Sequence, residues 1–194
     1  MTDKDALETT LSGPAAVVAP RLLGCELVRE LDGHVLRGRI VETEAYDQTD
    51  AASHSYKGQT PRTDVMFGPA GHLYVYFTYG MHYCCNIVVG GKGHGAAVLI
   101  RAIEPLEGQE IMGRNRHGAM GQNLTNGPAK LCQGLKIDKR FNGHDLRETP
   151  LRLALKPALT QDQIVQTTRI GISRAADVPW RFYEKDNIFV SKRA

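Results

Sequence analysis

Between residues 25 and 46 apolar and polar positions alternate in two runs, "CELVREL" and "HVLRGRIVETEAY", separated by Asp32-Gly33. Alternation with a period of two marks a half-buried strand, and an Asp-Gly pair between two such runs sets a tight hairpin. Further along, "HLYVYFTYGMHYCCNIVV" reads as two β-rich runs around Tyr79-Gly80-Met81, followed by the glycine-rich turn "GGKGHG" and a third apolar strand, "AAVLIRAIEP". The middle of the chain is therefore an antiparallel meander. "EGQEIMGRNR" predicts a short helix, and Asn126-Gly127-Pro128 opens another through "AKLCQGL", with the proline in the first turn where its missing N–H costs nothing. "PAAVVAPRLLG" offers a third short helix punctuated by Pro20, while "LRLAL" and "RFYEKDNIFV" close the chain with strand-like pieces. Residues 47–71 are polar, hold neither period for long, and form a loop of a length that is usually functional or disordered. The pattern is that of an α+β single domain over 15–194, preceded by a flexible, frayed or loosely helical segment over 1–14.

The second alternating run ends unusually, in "VETEAY". In a regular strand Leu36, Ile40, Glu42, Glu44 and Tyr46 share one face, which would pass from apolar to carboxylate. Either the strand emerges into water there and the glutamates are simply solvated, or a half-buried carboxylate is poised as a base. Arg101 interrupts the apolar strand "AAVLIRAI", and an arginine so placed pairs with a carboxylate; Glu42 and Glu44 are the nearest unexplained ones. A structural ion pair and a catalytic pair both remain open. Tyr74, Tyr76, Tyr79 and Tyr83 cluster within one hairpin. Strand propensity and core packing account for Tyr74 and Tyr83. Tyr79 differs: at the tip beside Gly80, Met81 and His82 it is poorly placed for the core and well placed to be pushed between the base steps of a duplex.

Composition narrows the picture without deciding it. With 194 residues, 42% hydrophobic and 23% charged, the chain can bury one good core. A net charge of +3 and a pI near 8.7 are compatible with a polyanionic partner and do not establish one. No apolar run reaches bilayer length, and the N-terminus is acidic where a signal peptide needs basic residues, so the protein is expected to stay where it is made, away from membranes. The four cysteines include the adjacent pair Cys84-Cys85 and no CxxC, which points to reduced thiols in the cytosol, with that pair in the core. The seven histidines show neither HxxxH nor HExxH spacing, so no metal site and no cofactor is expected. "GGKGHG" lacks the Lys-Ser/Thr of a phosphate-binding loop, and no GxSxG elbow is present.

Six ordered blocks, "RIVETEAY", "AASHS", "QTPRTDVMF", "GHLYVYFTYGMHYCCNIV", "AVLIRAIEPLEG" and "NGPAKLCQGLKID", resemble the alkyladenine (3-methyladenine) DNA glycosylases from about Arg21 to Phe182. The resemblance implies a fold like the C-terminal domain of methionyl-tRNA formyltransferase, a curved antiparallel sheet with surrounding helices. It implies a monofunctional enzyme of base excision repair acting as a monomer on double-stranded DNA, in the cytoplasm or, in a eukaryote, the nucleus. Alkylated or deaminated purines such as 3-methyladenine, 7-methylguanine, hypoxanthine and ethenoadenine would be flipped out and hydrolysed from the sugar. Residue by residue, Glu44 matches the general base that activates water, and Arg101 the arginine that helps hold it. Tyr46, His54 and Tyr76 match the walls of the base pocket, Asn86 the residue that crowds the 2-amino group of ordinary guanine, and Tyr79, with Met81 and His82 beside it, the intercalating tip. For Tyr76 and Asn86 to line one pocket, the hairpin between them needs an odd connection such as a three-residue loop, or a bulge. The rival reading is a non-catalytic nucleic-acid-binding module of the same fold.

Overall fold

In the computed structural model, which describes residues 3–192, the two alternating runs become strands β1 (Glu26–Leu31) and β2 (His34–Asp47). Asp32 and Gly33 join them with φ of 50° and 79°, the left-handed pair that a two-residue hairpin matching strand twist requires. The meander follows as β3 (Leu73–Thr78), β4 (His82–Val88) and β5 (Ala96–Glu107). With β6 (Leu151–Ala154), β7 (Ile164–Thr167) and β8 (Arg181–Glu184), these strands build one antiparallel sheet whose main order is β3-β4-β5-β2-β1-β6. β2 uses one edge twice. Its first half pairs with β1, and Glu42 to Glu44 pair with β8, which carries β7 outside it.

Helices α1 (Asp3–Leu11), α2 (Ala15–Arg21), α3 (Gln109–Asn115) and α4 (Pro128–Gly134) complete the α+β domain. Their apolar residues, Leu11 and Val18 and Leu131 among them, bury one sheet face against Leu36, Ile40, Ile87 and Ile100. The N-terminal stretch, expected to be flexible, frayed or loosely helical, carries a helix from Asp3, docked through Leu7 and Leu11, both buried; residues 1 and 2 lie outside the described residues. Two apolar positions four apart make a stripe, but it is too short to stand out in a polar stretch. The opposite face carries a small second cluster, in which Met66 and Phe67 from the long polar loop cover Tyr74, Val88 and Ala97. No helix among the described residues is long and apolar enough to cross a membrane.

The strand β2 departs from regular alternation at the place where the sequence turns acidic. Ile40 pairs with Ile103, Glu42 with Ala102 and Thr43 with Ile100, so Val41 on β2 and Arg101 on β5 are each one residue too many. Each β-bulge inserts a residue and flips the parity of everything beyond it. Leu36 and Ile40 therefore lie in the helix-covered core along with Ala45, while Glu44 falls in line with Leu99 and Asn86 on the other face. The single shared face expected for Leu36 through Tyr46 is thus corrected. Nor are the glutamates wet, since Glu42 and Glu44 are both fully buried.

Candidate active site

The face opposite the helices opens into a cavity of ≈ 380 Å³. It is lined by Tyr46 from β2, Tyr76 from β3, Cys84 and Asn86 from β4, and Arg101 from the β5 bulge. His54 and Met66 come from the polar loop, and Ile170 to Ile172 from the connection between β7 and β8. The hairpin register explains how Tyr76 and Asn86 meet. Thr78 pairs with His82, which leaves the three-residue loop Tyr79-Gly80-Met81 and sets Tyr74 opposite Asn86 and Tyr76 opposite Cys84.

Glu44 lies directly behind this cavity and does not itself line it. Its Oε2 accepts from the Tyr46 hydroxyl at 2.8 Å and from Arg101 Nη1 at 3.2 Å, and its Oε1 from the Ile170 amide at 2.8 Å. All three donors border the cavity. Burial, and then the charge of Glu44, pushes the Tyr46 phenol far above its ordinary value, which keeps it a donor. For Arg101, burial works against the charged form, but Glu44 and Glu42 outweigh it and hold the guanidinium above its usual range. The bulge gives this arginine its place, aiming its side chain at the two carboxylates.

Glu42 has a different set of partners. Its Oε1 accepts from Arg181 Nη1 at 2.6 Å and its Oε2 from the Ser191 amide at 2.7 Å, while Arg101 Nε stands 3.4 Å away without a hydrogen bond. Arg181 continues to the carbonyls of Lys192 and Thr168. Glu42 thus fastens the C-terminal segment to the back of β2.

The aromatic wall combines edge-on contacts of His54 with a stacked tyrosine pair. The His54 ring meets Tyr76 edge-on at 4.6 Å between centroids, Tyr74 stacks on Tyr76 at 5.8 Å, and His54 Nδ1 lies 3.0 Å from the Tyr74 hydroxyl. Partial burial, with Arg62 nearby, lowers the His54 pKa to about 4, so the ring is neutral at pH 7. Asn86 is held by its Nδ2 donating to the Tyr74 carbonyl at 3.1 Å. Cys85 is core as its apolar surroundings suggest, whereas Cys84 borders the cavity, its thiol pushed up by burial to about 11.

Tyr79 stands at the mouth of the cavity, 85% exposed and with φ of 50°, and Met81 is 71% exposed. Met81 and His82 line a separate depression with Lys136 and Gln133, so the structure does not bring them into the cavity. The core assignment expected for Cys84 is thus corrected, and residues that the sequence reading passed over are the Ile170 amide and the buried pair Arg169–Asp50 behind Tyr46. Only Arg169 gave any signal, as a charge beside the apolar Ile170. Among the described residues no group of three or more His, Cys, Asp or Glu side chains could hold a metal ion.

Comparison with known proteins bears directly on this arrangement. Residues 9–188 match the family described as Methylpurine-DNA glycosylase (MPG). A protein of Carboxydothermus hydrogenoformans is 54% identical over 91% of this chain and 93% of its own length. One from Methanoculleus marisnigri is 50% identical over 91% and 93%, and one from Francisella tularensis 48% identical over 96% and 98%. All three carry the name "Putative 3-methyladenine DNA glycosylase". A match that spans nearly the whole chain, cavity and strands alike, shows that the chain belongs to the methylpurine-DNA glycosylase family, whose members are enzymes of DNA repair.

Proposed function

We propose that this glycosylase hydrolyses the N-glycosidic bond of alkylated or deaminated purines flipped from duplex DNA into the aromatic cavity, with water as nucleophile and Glu44 as general base. The observation that carries the reading is the buried Glu44 directly behind that cavity, held by Tyr46, Arg101 and the Ile170 amide. An ionised carboxylate offers about four acceptor positions. Three are used, and the remaining one, on Oε1, is available to take a proton from water. The water oxygen bonds to C1′ as its proton passes to Glu44, and the purine leaves with the electrons of the broken bond. Positioning comes from the rigid strands beneath it.

The pocket chemistry fits cationic lesions such as 3-methyladenine and 7-methylguanine. Tyr46, Tyr74 and Tyr76 present aromatic surface, which attracts cations, and a cationic purine departs as a neutral base without an acid. Hypoxanthine and ethenoadenine require protonation and are slower substrates on this reading. Asn86, fixed on the pocket wall, excludes the 2-amino group of normal guanine. Tyr79, assisted by Met81 and His82, fills the gap left by the flipped nucleotide. On this reading the enzyme acts as a monomer on double-stranded DNA in the cytoplasm. The test is release of free base from duplexes each carrying one defined lesion. Release by wild type and none by Glu44→Gln supports the assignment; equal release by both refutes it.

A further inference from the structure

Arg169 lies in the connection between β7 and β8 and its side chain is fully buried. A guanidinium in such a place must be paired and hydrogen-bonded. Its partner is Asp50, from the loop that follows β2: Nη1 donates to Oδ2, and Nη2 to Oδ1 at 3.1 Å. Nη1 also donates to the Ala45 carbonyl at 2.9 Å, and Nη2 to the Ala175 carbonyl at 3.3 Å. The guanidinium carbon sits 4.8 Å from the centre of the Tyr46 ring and 5.4 Å from that of Trp180.

These contacts surround Glu44 without touching it. Ala45 and Tyr46 are the next two residues on β2, and the residue after Arg169 is Ile170, whose amide donates to Glu44 Oε1. Arg169 does not line the cavity and so meets neither substrate nor water there. As a source of stability a buried ion pair is poor, since an apolar replacement of both partners is often neutral or better. Its arrangement is better explained by what it holds.

We propose that Arg169, anchored on Asp50, is a positioning residue of the glycosylase: from behind the pocket it sets the plane of the Tyr46 ring and the place of the Ile170 amide on Glu44. This rests on the reading of Glu44 as the base. Lysine cannot replace it, because a point charge neither spans both Asp50 oxygens nor stacks as a plane on two rings. Loss of the clamp lets a wall of the pocket and a donor of the base drift together, and displacements of about 1 Å cost on the order of a hundredfold in rate.

The experiment uses the full chain and duplex DNA treated with dimethyl sulfate, following 7-methylguanine release under single turnover with enzyme in excess. Wild type, Arg169→Lys, Asp50→Asn and Glu44→Gln are compared at a temperature below the melting onset of each, giving a maximal rate and a half-saturating enzyme concentration. Both clamp variants are expected to lose at least about tenfold in maximal rate while half-saturation stays within about threefold. A wild-type maximal rate in the folded clamp variants overturns the proposal, as does a loss confined to half-saturation. Failure of both to fold even at low temperature also overturns it, by placing the pair in the fold alone. Glu44→Gln separates the two claims: a retained rate there refutes the base assignment itself, whereas an inactive Glu44→Gln beside a fully active Arg169→Lys refutes only the clamp.

Discussion

The floor of the cavity and the hairpin tip at its mouth differ in almost every physical respect. At the floor Arg101 is aimed by a bulge, Glu44 lies fully buried just behind it with three donors, and Glu42 lies further back with donors of its own. At the tip, Tyr79 is 85% and Met81 71% exposed, and Tyr79 takes a left-handed backbone that only a few per cent of non-glycine residues adopt. The floor is complete in the free protein, as groups that act on developing charge must be if reorganisation is not to slow the reaction. The tip buries little until something is pressed against it. Under the proposed function, chemistry and DNA engagement are thus divided between an overdetermined region and one that buries little in the free protein.

The largest effect expected from breaking the floor is that of Glu44→Gln, which removes the proposed base and keeps the shape. Base release should fall by roughly 10²–10⁴-fold, with lesion-DNA binding within about tenfold of wild type. Retained turnover would move the chemistry elsewhere. Glu42→Gln sharpens the contrast inside the floor. It reduces the counter-charge of Arg181 and Arg101 and should cost about 3 kcal/mol of stability, read from the urea midpoint. Release per folded molecule should remain far above that of Glu44→Gln; equal loss at both positions would argue against a single base.

At the tip the expectation reverses, with function affected and stability spared. Tyr79→Ser should leave the melting temperature within about 2 °C, because an exposed turn residue contributes little to the fold. Excision of hypoxanthine should suffer more opposite thymine than opposite a mismatched base, where unstacking already costs less. An unchanged ratio, or a melt lowered by many degrees, returns Tyr79 to the sheet.

The smallest effect lies between the two regions, at His54. Its folded pKa of about 4 is below the ordinary 6.5, so the unfolded chain binds the proton more readily between those values. Its contribution to stability is therefore present above about pH 6.5 and is lost as pH falls toward about 4, and it is slight because the ring is open to the cavity. An NMR titration midpoint near 6.5 would show that the wall does not hold the ring as described.

Much of this was legible in the residues themselves. Alternation and the Asp32-Gly33 turn identify the β1–β2 hairpin, apolar runs mark the meander, and Arg101 in its apolar strand announces a buried carboxylate partner. Placing Tyr76 and Asn86 in one pocket, as the resemblance implies, requires the odd hairpin connection that the register shows. What could not be read is where parity changes. Val41 and Arg101 are bulged by pairing across β2 and β5, and nothing in "RIVETEAY" marks the slip, so regular alternation puts Ile40 and Glu44 on one face although they lie on opposite ones. Glu42 and Glu44 look alike in sequence, and their separate partners come from residues such as Arg181 and Ile170, more than a hundred positions away. Local periodicity records how a segment meets water and core. Which distant group satisfies a buried charge is decided only when the sheet closes, because the cost of leaving that charge unpaired exists only once water has been excluded.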